Sequence, residues 1–173
     1  SSPVNVDGTL FFGASDGTHG IELWKSDGTV AGTVLVRDIV PGGASSSPTN
    51  LVAHGSALYF RAGQDGPIWK SDGTEAGTTL VHPQTGSGPL VSSGDRLFSA
   101  SGSQLWASDG SEAGTILVRD FGAPFSLSTA AAVPGALLLW VDRGVDGLEL
   151  WQSDGTPAGT TLVKIVEPGN EDV

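Results

Sequence analysis

The stretch ELWKSDGTVAGTVLVRDI, from Glu22 to Ile39, returns as ELWQSDGTPAGTTLVKIV from Glu149 to Val166 with most of its letters unchanged. Two further copies stand between them, PIWKSDGTEAGTTLV from Pro67 to Val81 and QLWASDGSEAGTILVRDF from Gln104 to Phe121. Anchored on Trp24, Trp69, Trp106 and Trp151, the copies are 45, 37 and 45 residues apart. A second marker recurs ahead of each Trp: Gly8, Gly55, Gly94 and Gly135, in VDGTLFF, AHGSALYF, SSGDRLFS and VPGALLLW, each directly before an apolar run. A glycine free to take positive φ between two short apolar runs marks a tight β-hairpin.

Each unit then reads as four short strands. In the second they are NLVAH, ALYFRA, PIWKS and TTLVH. The apolar runs are rich in Val, Leu, Phe and Trp and are cut by Gly, Pro, Ser and Asp, with no helical periodicity. Four strands per unit, at a period near 40–50 residues, predict an all-β fold, a β-propeller of four four-stranded blades. The blades fall at about 1–47, 48–88, 89–126 and 127–173 within a single repeat domain, 1–173. Each blade comes from one continuous stretch, so no blade is shared between the two ends. The ring therefore closes by side-chain packing alone, or the four blades are half of a larger ring completed by a second chain, as a homodimer, or by further sequence.

The repeated stretches resemble the ELWxxDGT repeat of large bacterial, largely extracellular proteins, and the likeness covers all four units. It implies a propeller-like fold and a secreted or cell-surface setting, and it assigns no catalytic residue. The second and third units depart from the pattern, with Pro67 and Gln104 where the others have Glu22 and Glu149, and Ser111 in place of Thr. The chain begins at Ser1 without a signal-peptide pattern, so an export signal is expected upstream.

Composition removes several classes of function. With 8 Lys+Arg against 19 Asp+Glu the formal net charge is −11, which opposes binding to nucleic acid or to anionic membrane surfaces. No apolar stretch reaches the roughly 18–20 residues of a membrane span, so no membrane insertion is expected. The chain has no Cys, which excludes disulfides, thiolate metal sites and Cys nucleophiles. Neither a phosphate-cradling glycine loop nor a known calcium loop is present. His19, His54 and His82 stand at different places relative to the Trp and form no metal spacing. No cofactor is expected.

The four equivalent carboxylates Asp27, Asp72, Asp109 and Asp154 invite a metal reading, but Asp-Gly after a strand is a turn signal in its own right. They are expected to be structural, as are Trp24, Trp69, Trp106 and Trp151, each read as a ring wedged between adjacent blades rather than as a sugar platform. Trp140 lies outside the repeat and is expected in the core, at a Phe-like position.

Function is sought in what differs between units, because a shared scaffold is specialised through its loops. The segments before the first and fourth Trp are long, acidic and Gly-rich, and in a closed ring of four they would be neighbours. They offer Asp16, His19, Glu22, Asp142, Arg143, Asp146 and Glu149 as an asymmetric ligand-binding patch. Its negative field suits a neutral glycan, a cationic protein surface or a weakly held calcium ion. The expected function is non-catalytic: a binding or adhesion module of a secreted or surface bacterial protein, recognising glycan or protein. Two alternatives stand beside it, a polysaccharide-active hydrolase or lyase using Glu22, Asp146 and Glu149 as paired carboxylates, and a structural spacer in a long repeat protein.

Overall fold

The computed structural model describes residues 2–83, 86, 88–122, 125–143 and 147–168. Among them are sixteen β-strands and one 3-10 turn, Leu127–Thr129. The strands form four separate four-stranded antiparallel sheets, each a simple meander in chain order. The chain divides into two compact units, 1–87 and 88–173, of two sheets each.

The first unit holds β1 (Val4–Val6), β2 (Thr9–Ala14), β3 (Glu22–Ser26) and β4 (Val34–Arg37), then β5 (Thr49–His54), β6 (Ala57–Arg61), β7 (Ile68–Ser71) and β8 (Thr79–His82). The second holds β9 (Val91–Ser93), β10 (Arg96–Ser101), β11 (Gln104–Ser108) and β12 (Ile116–Asp120), then β13 (Ala131–Val133), β14 (Ala136–Asp142), β15 (Gly147–Ser153) and β16 (Thr161–Pro168). The hairpin glycines do what their spacing implies: Gly8, Gly55, Gly94 and Gly135 all have positive φ. At the first, Asp7 joins Gly8 with φ of 49° and 89°, the left-handed pair that matches the twist of two flanking strands.

Within each unit one apolar core lies between the two sheets. In the first, Val6, Phe11, Leu23 and Val36 meet Leu58, Phe60 and Ala62, with Trp69 packed alongside. In the second, Phe98, Leu105 and Val118 meet Leu137, Leu139, Val141 and Trp151. The repeated Trp side chains are not equally buried. Trp151 is 5% exposed and belongs to its core, Trp69 sits at the edge of the other, and Trp24 and Trp106 belong to neither. The Trp-bearing face of a sheet meets the sheet before it, and the first sheet of each unit has no preceding sheet within that unit.

An arginine of the preceding sheet completes each of these contacts. Arg37 lies over Trp69, 5.9 Å from the ring centroid, and donates to the carbonyl of Thr78 at 2.6 Å. Its counterpart Arg119 lies 4.1 Å from the centroid of Trp151. Directly before all four Trp residues the pairing of third and fourth strands slips by a β-bulge. A bulge adds one residue to one strand and sharpens the local twist.

The SDGT turn is a closed hydrogen-bond network, built four times. In the second sheet Asp72 Oδ1 accepts from the backbone N–H of Thr74 at 2.8 Å and from its hydroxyl at 2.7 Å. Thr74 Oγ1 accepts in turn from the N–H of Gly77, and Ser71 Oγ pairs with Thr78 Oγ1 at 2.7 Å. Gly73 supplies a φ of 87°. Gly77 is required for a different reason: a Cβ there would overlap the Asp72 carboxylate, and the same holds for Gly32, Gly114 and Gly159 against Asp27, Asp109 and Asp154. The carboxylates are thus committed to their own turns. Hydrogen bonds from the Thr or Ser two residues on hold all four pKa values below the ordinary aspartate value.

Candidate ligand-binding site

Strand alternation decides which side chains of β14 are available. Leu137, Leu139 and Val141 are fully buried in the core of the second unit, so Leu138, Trp140 and Asp142 occupy the opposite face. The register corrects the expected place of Trp140. Phe12, Phe60, Ser99 and Leu139 are the residues that pair with the four repeated Trp, which makes Gly13, Arg61 and Ala100 the counterparts of Trp140. Trp140 is half-buried and outside the core.

Trp140 lines a cavity of about 420 Å³ together with Leu148, Phe125, Asp142, Ser126, Ser128 and Thr129. Asp142 pairs with Leu148 across β14 and β15, which puts both beside the Trp140 ring. The 3-10 turn supplies the other wall. Ser126 caps it, its hydroxyl accepting from the N–H of Ser128 at 3.1 Å, while Leu127 is buried beneath and leaves the hydroxyl-bearing residues exposed. The cavity therefore has an aromatic and aliphatic floor and a rim of hydroxyls with one carboxylate.

Arg143 and Glu149 brace this site. Glu149 Oε2 accepts from Arg143 Nε at 3.0 Å and from the indole N–H of Trp151 at 2.8 Å. Arg143 also donates to the carbonyl of Phe121 at 2.6 Å and bonds through its own N–H to the carbonyl of Gly147 at 2.8 Å. Phe121 stacks edge-on against both Trp151 and Phe125, with centroids 5.1 and 4.9 Å apart. One carboxylate thereby ties the β14–β15 hairpin to the segment that carries Phe125. Burial raises the Glu149 pKa, but the bonds from Trp151 and Arg143 and the nearby arginine charges outweigh it, leaving it below the usual value.

The remaining expected site residues are placed differently. Asp16 and His19 form an exposed pair in the β2–β3 hairpin. Asp16 Oδ1 accepts from the N–H groups of Thr18 and His19, and Oδ2 meets His19 Nδ1 at 2.7 Å. The bonds from the His19 backbone and ring lower the Asp16 pKa to about 2, and the same partner raises that of His19. Glu22 is fully buried, and its carboxylate accepts from Ser46 N–H at 2.7 Å, from Ser46 Oγ and from Ile39 N–H at 3.1 Å. That burial takes Glu22 out of any surface patch. Asp146 lies outside the described residues. Arg143 and Glu149 are brought together in the second unit, with Asp142 on the opposite face of the hairpin, and Asp16 and His19 are paired in the first.

Sequence reasoning missed Phe125, Ser126, Ser128 and Thr129, and placed Trp140 in the core. Two signals were available: Trp140 has no counterpart in the other units, and FSLST at 125–129 breaks the Gly/Ser/Pro composition of the other links between repeat units. Among the described residues no group of three or more His, Asp and Glu side chains is arranged to hold a metal ion.

No family model matches the chain, and no curated protein does. Among solved structures it is similar to the crystal structure of a mutant puromycin hydrolase complexed with PGG, a β-propeller-containing protein. The TM-score is 0.68 at 13% sequence identity, over 98% of this chain. The chain spans only 29% of that hydrolase's length. A likeness at this identity carries the fold and no activity: the molecule is all-β, with four four-stranded sheets like those of a propeller-containing protein.

Proposed function

We propose that the four sheets are blades of a β-propeller repeat and that the chain is a non-catalytic binding module of a secreted or surface-displayed bacterial protein, holding a neutral glycan in the Trp140 cavity. The observation that carries this reading is the lining itself. A sugar presents an apolar C–H face and a ring of hydroxyls, and the cavity offers an indole with Leu148 for the first and Asp142 with three hydroxyls for the second. The net charge of −11 favours neutral over sulfated or phosphorylated sugars. Hydrolysis by a carboxylate pair has less support, because Glu22 is buried in a loop clamp and Glu149 is bonded to Trp151 and Arg143.

A glycan array with the parent chain, Trp140→Ala and Asp142→Asn tests the proposal. Binding of one or more neutral glycans by the parent, weakened at least tenfold by either substitution, is expected. An array blank for the parent, or binding that both variants keep, would overturn it.

A further inference from the structure

Within each unit the same positions build the contact between sheets. Phe11, Leu23 and Val36 of the first sheet face Leu58, Phe60 and Trp69 of the second, and Phe98, Leu105 and Val118 face Leu137, Leu139 and Trp151 in the other unit. Two faces carry these residues uncovered. On the fourth sheet Val163 is 50% exposed, whereas its counterparts Val36 and Val118 are each 5% exposed. On the first sheet Leu10 is 38% exposed, whereas its counterparts Leu58 and Leu137 are fully buried.

The turn glycines agree. A Cβ at Gly73 would touch Phe11 and Lys25 of the preceding sheet, and one at Gly155 would press on Arg96 and Ala107. The equivalent Gly28 of the first sheet has nothing within 4 Å. An apolar face normally buried by a neighbour, left open on the first and on the fourth sheet, is what repeat proteins avoid unless something covers it.

We propose that these faces are the two halves of one further interface, and that a second copy of the chain joins head to tail, its first sheet seated on the fourth sheet of its partner. The inference rests on the reading of the sheets as blades; the face it covers also carries Trp140, which pairs with Leu150, so its test is read apart from glycan binding. The occupant is argued from the pairing already present twice in each chain. The open fourth sheet offers Leu138, Leu150 and Val163 where the first offers Phe11, Leu23 and Val36, and the open first sheet offers Leu10, Phe12 and Trp24 where the second offers Leu58, Phe60 and Trp69. Made twice about a twofold axis, so that the first sheet of each copy meets the fourth sheet of the other, such a contact is isologous and closes a pair.

The chain has no cysteine, which makes a thiol test clean. Leu10→Cys and Val163→Cys are made singly and together, and treated with a short bis-maleimide. A mixture of the two single variants is expected to give a covalent dimer, and the double variant to link between chains. Light scattering on the parent is expected to give twice the 17.5 kDa chain mass. Cross-linking of the double variant within one chain would mean that the first sheet closes on its own fourth sheet. That result, or a parent that stays monomeric with no cross-link in the mixture, would overturn the proposal. Glycan binding by a monomer would leave the cavity reading intact.

Discussion

Glu149 accepts the indole N–H of Trp151 at 2.8 Å, two residues along the same strand, while in the identical Glu-Leu-Trp of the first sheet Glu22 turns away from Trp24 to clamp Ser46 and Ile39. The Trp24 indole N–H is buried without a hydrogen-bond partner. One tripeptide therefore does two jobs, chosen by what the neighbouring stretch of chain offers. The first link provides backbone N–H groups at Ile39 and Ser46; the hairpin of the fourth sheet provides Arg143.

That difference predicts unequal costs for the same substitution. Glu22→Gln replaces a charged acceptor of three hydrogen bonds in a fully buried site and puts amide hydrogens where donors already point. It should cost about 1–3 kcal/mol, the range for buried hydrogen bonds to charged groups. Glu149→Gln keeps one carbonyl for the indole and should cost less. Urea unfolding of both variants checks the order, and the reverse order would mean that the Ser46 clamp is unimportant.

In the SDGT turn, the sequence announces the Asp-Gly pair but not why the later glycine is needed. Gly77→Ala should destabilise by about 1–3 kcal/mol, because the new methyl meets the Asp72 carboxylate. Asp72→Asn should be nearly neutral, since the amide oxygen still accepts from Thr74. The double variant Gly77→Ala with Asp72→Ala should cost clearly less than the two single alanine changes added together, because one removes the clash made by the other. Strict additivity in denaturation would place the strain elsewhere.

The pH dependence divides by group. Asp27, Asp72, Asp109 and Asp154 have lowered pKa values, so their contribution to stability is present above the ordinary value of 3.8 and is lost as pH falls through the lowered ones. His19 is raised above 6.5 by Asp16, so its contribution is present below 6.5 and is lost as pH rises through the raised value. Proton NMR should find His19 titrating above 6.5 in the parent and closer to 6.5 in Asp16→Asn. An unchanged midpoint would show that the pair does not form in solution.

Local signals carried much of the fold. The sequence NLVAH, ALYFRA, PIWKS and TTLVH anticipates β5 to β8 because each run is bounded by its own turn chemistry, and a turn is a short-range device. The site was less legible. Whether Leu139 or Trp140 faces the core depends on register across a hairpin, where a shift of one residue exchanges the two faces of a strand. The role of Glu22 depends on Ser46, 24 residues away in sequence, and no local pattern reports a contact at that range. The long acidic hairpins were visible, but the wall of the cavity came from the 3-10 turn, whose SLST letters read as an ordinary link.

The two tryptophans of the fourth sheet should respond differently to truncation. Trp151 is buried against Phe98, Leu137 and Leu139, beneath the Arg119 guanidinium, so Trp151→Ala should cost about 3–5 kcal/mol, as for emptying a large aromatic site. Trp140 faces the other way and contributes one wall of an open cavity, so Trp140→Ala should change stability by no more than about 1 kcal/mol, in line with substitutions outside a core. Thermal melts of the two variants should therefore differ by many degrees, while Trp140→Ala alone leaves a folded chain that has lost glycan binding. If instead Trp140→Ala melts as low as Trp151→Ala, Trp140 is a packing residue after all, and the cavity loses the ring on which its ligand would stack.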